Sequence, residues 1–100
     1  MDKNKINFLI GNIIELLRQE CGLSRYALSK NAGVDSSWLR RLEQGKSGIK
    51  VETLIALAKG LQIPTADLVT IIEKVIDEGE PLSPDKAVSQ FLSNTERKNK

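Results

Sequence analysis

The sequence contains no histidine, one cysteine and only four aromatic residues, namely two phenylalanines, one tyrosine and one tryptophan. Without histidine, and with Cys21 as the single cysteine, it offers no plausible zinc or haem site and no disulfide within the chain. The lone cysteine fits a reducing compartment, and neither a signal peptide nor a run of about 20 apolar residues is present. We therefore expect a soluble cytoplasmic protein with an aliphatic core, no cofactor and no membrane contact.

The length and composition indicate one small globular domain. The chain has 100 residues, of which 40% are hydrophobic and 28% charged, the profile of an ordinary folded protein. It has no glycine-rich phosphate loop and no arrangement of nucleophile and base. Together with the absence of histidine, this excludes most enzyme classes, and we expect no catalytic residues.

The formal net charge of +2 hides an uneven distribution along the chain. Residues 25–59 carry seven basic and three acidic side chains, whereas residues 60–85 carry one basic and six acidic ones. A basic zone of this size can attract nucleic acid, but many charge runs are simply solvated faces. The order of residues within the zone has to decide between these interpretations.

The hydrophobic pattern is helical throughout. From Leu9 to Leu17 the apolar residues recur three and four positions apart, which favours a helix over a strand. Gly22 is expected to end this helix, and Ser24 to cap a second one that stops after about two turns at Gly33.

Further signals predict four more helices. Asp35 is a cap for a third helix, a fourth begins at Val51, and Pro64 suits the first turn of a fifth. The fifth is more apolar than a single stripe requires, which suggests a partner. A break at residues 79–81 precedes a short sixth helix capped near Ser83, and residues 94–100 are expected to be frayed.

Two short helices joined by a glycine turn, the second polar on its outer side and within the basic zone, are typical of a DNA-binding helix-turn-helix. Residues 10 to 68 also contain GLS, AGV, WLRRLEQGK and ETLIALAKGL in matching order and spacing. On these segments the sequence resembles the helix-turn-helix (XRE-type) family of lambdoid phage repressors, restriction-modification controller proteins and many antitoxins. The resemblance implies an all-α fold, with a five-helix phage-repressor-like domain over residues 1–79, a helix-turn-helix over about 24–45, and a short C-terminal helix and basic tail over 80–100.

The resemblance also implies which side chains meet DNA. The start of the third helix would enter the major groove, where an arginine can donate two hydrogen bonds to guanine. The base-contact candidates are Ser36, Ser37, Arg41 and Arg40, with phosphate contact as the alternative for Arg41. The phosphate-contact candidates are Arg25, Lys46, Ser47, Lys50 and Asn31.

Four positions depart from the family pattern. Ser29 takes the place of the small residue that is usual in the middle of the second helix. Arg25 stands where glutamine is common, Lys50 replaces the usual serine cap before the fourth helix, and Pro64 replaces a capping serine before the fifth. The change to Lys50 removes a cap hydrogen bond worth about 1 kcal/mol and adds a positive charge near the phosphates. No operator sequence can be transferred from a relative, because the glutamine pair that is frequent on the recognition helix is missing.

Two further expectations concern the scaffold. Arg18 and Glu43 match family positions that form a partly buried ion pair, the alternative being two separately solvated charges. The apolar surplus predicts a homodimer interface, the alternative being that the sixth helix folds back over the fifth within one chain. The interface candidates are Leu68, Ile72, Val75, Ile76, Phe91 and Leu92.

The sequence therefore predicts a homodimeric transcriptional regulator that binds double-stranded DNA at an approximately palindromic operator. The alternative is a DNA-binding antitoxin, or an adaptor, whose main partner is a toxin or another protein. Self-association would favour the first prediction, whereas an exposed fifth helix without self-association would favour the second.

Overall fold

The computed structural model describes residues 2–78 and 84–98, with side chains as far as Ser93 in the last helix. Within these ranges the chain forms helices and no strand, so the predicted all-α fold class is confirmed. The helices are α1 (Lys3–Glu20), α2 (Arg25–Ala32), α3 (Ser36–Glu43), α4 (Val51–Gly60), α5 (Thr65–Glu78) and α6 (Pro84–Lys98).

The first three helices begin at side-chain caps. The Asp2 carboxylate accepts a hydrogen bond from the main-chain N–H of Lys5 at 2.8 Å, so α1 starts well before the apolar stripe that marks it in the sequence. Ser24 and Asp35 cap α2 and α3 in the same way, as predicted. Lys50, the residue before α4, makes no side-chain cap hydrogen bond, which agrees with the expected loss at this position.

The start of α5 directly after Pro64 agrees with the predicted capping position of this proline, whereas the end of α6 differs from the prediction. Pro64 lies just before α5, where its carbonyl accepts hydrogen bonds from the N–H groups of Asp67 and Leu68 at 3.0 and 3.2 Å. The backbone of α6 continues to Lys98, through residues expected to be frayed, because no glycine or proline follows Pro84 to stop it. The predicted break at 79–81, the cap at Ser83 and the domain boundary at 79–80 lie outside the described residues.

The core is aliphatic and lies where the helices meet. α1 packs against α3, α5 and α6, while α2 packs against α3 and α4. The apolar side chains with no solvent exposure come from α1 to α5, and they are Ile13, Ile14, Leu28, Leu39, Leu42, Leu57, Ala58 and Leu68.

Most of the apolar surplus of α5 is covered within the single chain, although Val69 remains 44% exposed. α6 packs against both α1 and α5 and buries Ala87 and Val88. Leu68 and Val75 are 0% and 2% exposed, and Ile72 is 9% exposed. The prediction that Leu68, Ile72 and Val75 present a surface to a second copy is therefore corrected, since all three side chains already belong to the core of one chain. The other three interface candidates, Ile76, Phe91 and Leu92, are half-buried.

No single helix in the described ranges is long and apolar enough to cross a membrane. The pair α4 and α5 reaches that length and composition only together, and the two helices are bent by 110° at the break between them. Each contributes fully buried side chains to the core, Leu57 from α4 and Leu68 from α5.

Candidate nucleic-acid interface

A three-residue turn fixes α3 against α2. Gly33 lies in the left-handed region at φ 70° and ψ 33°, a conformation that costs glycine little because it has no Cβ. The next residue, Val34, donates its main-chain N–H to the carbonyl of Ser29 at 2.9 Å, which closes the end of α2. Asp35 then starts α3 by accepting from the N–H of Trp38 at 2.9 Å. The turn therefore sets the angle at which α3 leaves the body of the protein.

The outer face of α3 carries most of the predicted base-contact residues. Ser37, Arg40 and Arg41 are exposed, while Ser36 is half-buried. The opposite face is buried, with Leu39 and Leu42 at 0% exposure. The helix thus presents one hydroxyl and two guanidinium groups to solvent while its other side is held in the core.

The close approach of α1 holds the inner side of α3. A Cβ placed on Gly11, in the middle of α1, would collide with the main-chain carbonyl of Leu42 in α3. Only glycine allows the two backbones to lie this close. The sequence analysis did not identify Gly11 as a positioning residue, although a glycine inside a helical stripe is a recognisable signal.

A buried ion pair links α1 to α3, as the family resemblance implied. Arg18 donates from Nε to Oε2 of Glu43 at 2.8 Å and from Nη2 to Oε1 at 3.2 Å. Its Nη1 donates to the carbonyl of Leu23 at 2.8 Å, which ties the pair to the loop before α2. The side chains of Arg18 and Glu43 are only 10% and 1% exposed, so water competes little for these contacts.

The structure places Arg25 in the same network. Its Nε donates to Oε1 of Glu43 at 2.9 Å, and its Nη2 lies 3.9 Å from Oε2 of Glu15. In the sequence Arg25 was a phosphate-contact candidate, but here its charge already has two carboxylate partners. Neither contact was predicted, because both depend on how α1 crosses α2 and α3.

The loop between α3 and α4 carries the other phosphate candidates. Lys46 and Lys50 are exposed, whereas Ser47 is half-buried. The Ser47 hydroxyl accepts from the indole Nε1 of Trp38 at 3.1 Å and donates to the carbonyl of Gly48 at 3.0 Å. Ser47 therefore joins the loop to α3 through its side chain.

Four main-chain amides of this loop have no hydrogen-bond partner. Within the described residues the N–H groups of Ser47, Gly48, Ile49 and Lys50 donate no hydrogen bond. Free main-chain N–H groups beside lysine side chains favour an anion. The loop thus offers a phosphate both amides and positive charge.

The remaining candidate on α2 is less constrained. Asn31 is exposed near the end of the helix. On the same helix the Lys30 ammonium lies 5.2 Å from the centroid of the Tyr26 ring, a cation–π contact. The structure leaves Asn31 accessible but gives it no neighbour that orients it toward DNA.

The cysteine is not arranged for reactivity. The Cys21 sulfur lies 3.8 Å from the carbonyl oxygen of Leu61. Burial of the sulfur, and to a smaller extent the charge of Glu20, raises the pKa of the thiol. Among the described residues, no group of three or more cysteine, aspartate or glutamate side chains could hold a metal ion.

Sequence comparison identifies the family to which this geometry belongs. The model of the helix-turn-helix domain matches residues 10–70, more than half of the chain. This chain belongs to the helix-turn-helix domain family. The match includes all of α2, α3 and α4 and confirms the resemblance inferred from the sequence. A search of curated proteins found no match.

Solved structures share the fold. The restriction-modification controller protein C.AhdI from Aeromonas hydrophila is 27% identical, with a TM-score of 0.60 over 62% of this chain and 94% of that protein. The wild-type controller protein C.Esp1396I is 18% identical, with a TM-score of 0.66 over 71% of this chain and 93% of that protein. At 18% identity, the similarity to C.Esp1396I shows only that the two chains share a fold. Family and fold together make this chain a DNA-binding helix-turn-helix protein.

Proposed function

We propose that this helix-turn-helix protein is a sequence-specific transcriptional regulator that binds double-stranded DNA as a homodimer at an approximately palindromic operator. The observation that carries the proposal is the two-sided character of α3. Ser37, Arg40 and Arg41 are exposed on one side, while Leu39 and Leu42 are fully buried on the other. A helix held in this way can enter the major groove as a rigid unit.

Base recognition is assigned to the outer face of α3. Arg41 donates two hydrogen bonds to O6 and N7 of a guanine, the most specific pairing open to this helix. Arg40 lies beside it and extends the contact. Ser36 and Ser37 can both donate and accept, so they restrict the base sequence less than an arginine does.

Phosphate contact is assigned to the loop after α3. Lys46 and Lys50 are exposed there, beside the four main-chain N–H groups without a partner. Such contacts fix the register of the protein on DNA and make affinity depend on salt, but they carry no sequence information. Asn31 is a further phosphate candidate on α2.

A second copy is needed to read an operator of useful length. One α3 of eight residues covers only a few base pairs, and dimers place two such helices in successive major grooves about 34 Å apart. Apolar side chains that remain exposed on α4 and α5 are available for self-association, and they are Val51, Ile55 and Val69 at 71%, 37% and 44% exposure. The half-buried Ile76, Phe91 and Leu92 are candidates to extend that surface.

The test is selection of bound sequences from a random duplex pool at about 150 mM salt, because phosphate-driven affinity falls steeply with ionic strength. The proposal predicts an inverted repeat with half-sites about one helical turn apart. Sedimentation of the protein with the recovered duplex then gives the number of chains bound. Binding without any recovered motif contradicts sequence-specific regulation, and one chain per duplex contradicts the dimer.

The second candidate, a DNA-binding antitoxin or adaptor, draws its support from the exposed apolar side chains. Val51 is 71% exposed, so this apolar side chain is accessible to another protein. The cover that α6 provides over α5 weakens this candidate and the predicted dimer interface on α5 alike, because in the described residues α5 is not a fully exposed helix. A chain that stays monomeric at high concentration and on DNA would favour a protein partner over a second copy.

A further inference from the structure

The carboxylate of Glu43 is shared by arginines from two helices. Its Oε1 accepts from Arg25 Nε at 2.9 Å and from Arg18 Nη2 at 3.2 Å, so the bond from Arg25 is the shorter. Among the described residues, no other hydrogen bond or ion pair between side chains joins α2 to α3. Besides the hydrogen bonds of the turn, the orientation of α3 on α2 therefore has one constraint between side chains in the described residues, and Arg25 supplies it.

The position of Arg25 explains why it turns toward carboxylates. It is the first residue of α2, where the unpaired N–H groups and the helix dipole disfavour a cation. Glu43 and Glu15 supply the negative charge that offsets this cost. A DNA phosphate at the same guanidinium would have to approach two carboxylates, and like charges repel.

We propose that Arg25 is a positioning residue for base recognition, and that it sets the orientation of α3 in the major groove through Glu43 instead of anchoring a phosphate. The inference rests on the proposed DNA-binding function. α3 has only two turns, so a small rotation at Glu43 displaces the Arg41 guanidinium, two residues away. Loss of the contact therefore reduces discrimination between base sequences.

Two substitutions separate positioning from phosphate contact. Arg25→Lys keeps the positive charge and removes the guanidinium Nε–H that reaches Glu43, whereas Arg25→Gln removes the charge as well. Lys30→Gln is the matched control, because it removes one exposed positive charge from the same helix without touching Glu43. Each full-length variant is titrated with the duplex recovered by selection, and with the same duplex carrying one changed base pair in each half-site, at several salt concentrations.

Positioning predicts that Arg25→Lys and Arg25→Gln both weaken binding of the recovered duplex by about tenfold, the size of one lost base contact. Binding of the changed duplex moves by less than about twofold, and the slope of log affinity against log salt stays within a few tenths of the wild-type value. Lys30→Gln keeps the wild-type ratio between the two duplexes. The proposal is overturned if Arg25→Lys binds like the wild type while Arg25→Gln weakens both duplexes equally and lowers the slope by about one.

Amide hydrogen exchange tests the same contact without DNA. Positioning predicts faster exchange at the α3 amides in Arg25→Lys, with no change at the α5 amides, because the ion-pair partners of Arg25 lie on α1 and α3 and not on α5. Unchanged exchange at α3 overturns the proposal. If the wild-type protein recovers no sequence motif, the proposed regulatory function fails, and the exchange measurement still decides whether Arg25 holds α3.

Discussion

Four arginines in the first half of the chain form two pairs with opposite surroundings. Arg18 and Arg25 contact the Glu43 carboxylate, and Arg25 also lies near Glu15. Arg40 and Arg41 are exposed, and within the described residues neither makes an ion pair. The arginines of the first pair thus hold α3 in place, whereas the arginines of the second pair are available to a ligand.

The difference shows why a charge count along the sequence overstates the surface available to DNA. Arg25 adds to the basic zone of residues 25–59, yet its charge is already offset by carboxylates. The positive charge that a phosphate or base can use comes from side chains without such partners. Four of those side chains lie on α3 and in the loop after it, at Arg40, Arg41, Lys46 and Lys50, and the other two in this zone are Lys30 on α2 and Lys59 on α4.

The largest effect is expected for Arg18→Ala, which removes the buried arginine of the first pair. We expect the free energy of unfolding to fall by about 3–5 kcal/mol, because the buried Glu43 loses its bidentate partner. Denaturant unfolding followed by circular dichroism gives the value, with Arg41→Ala as the control expected within about 0.5 kcal/mol of the wild type. Equal losses for the two variants would show that the pairs do not differ as described.

The second prediction concerns the exposed pair. Arg41→Ala should weaken binding of the selected duplex by about 1–3 kcal/mol and relax the preference at one base position in each half-site. Selection repeated with this variant measures both effects, and Lys59→Ala serves as a control cation far along α4. If affinity falls equally for every sequence, Arg41 contacts phosphate and not a base.

The third prediction tests whether the loop after α3 contacts phosphates while α3 contacts bases. Lys46→Ala should weaken all duplexes alike and reduce the slope of log affinity against log salt by about 1, since one phosphate contact is lost. Titrations of the selected and an unrelated duplex at four salt concentrations measure it. A loss confined to the selected duplex would move Lys46 from anchoring to base recognition.

The smallest effect is expected at the outer end of the network. Glu15→Gln removes a carboxylate that is 33% exposed and 3.9 Å from Arg25. Partly exposed ion pairs contribute little, so the free energy of unfolding should change by less than about 1 kcal/mol. A loss as large as that of Arg18→Ala would show that Glu15 is as essential to the network as Glu43.

Local signals in the sequence were sufficient to predict the caps and the turn of the helix-turn-helix unit. The caps at Ser24 and Asp35 and the left-handed Gly33 depend on residues one to three positions away, so they can be read from the chain directly. The contact between Arg18 and Glu43 joins residues far apart in sequence, and the family resemblance supplied it. The DNA contacts of α3 remain predictions, although the structure exposes the arginines that they require.

Contacts that depend on the packing of several helices could not be predicted in the same way. The apolar pattern of α5 showed that a large surface needs cover, but the pattern is the same whether α6 or a second chain provides it. The capture of Arg25 by Glu43 and Glu15 requires the crossing of three helices. A cation at the start of α2 therefore looked available to phosphate until its neighbours were known.

Trp38 is also a natural fluorescent probe, and its hydrogen bond to Ser47 fixes its place in the fold. Trp38 is the only tryptophan in the chain, and its indole joins α3 to the following loop. All tryptophan emission therefore arises at the junction of α3 and this loop, where Trp38 is half-buried against the core. A titration followed by tryptophan emission, with Tyr26 not excited, reports on that junction, and comparison with circular dichroism, which averages over every helix, shows whether the junction loosens before the rest of the molecule.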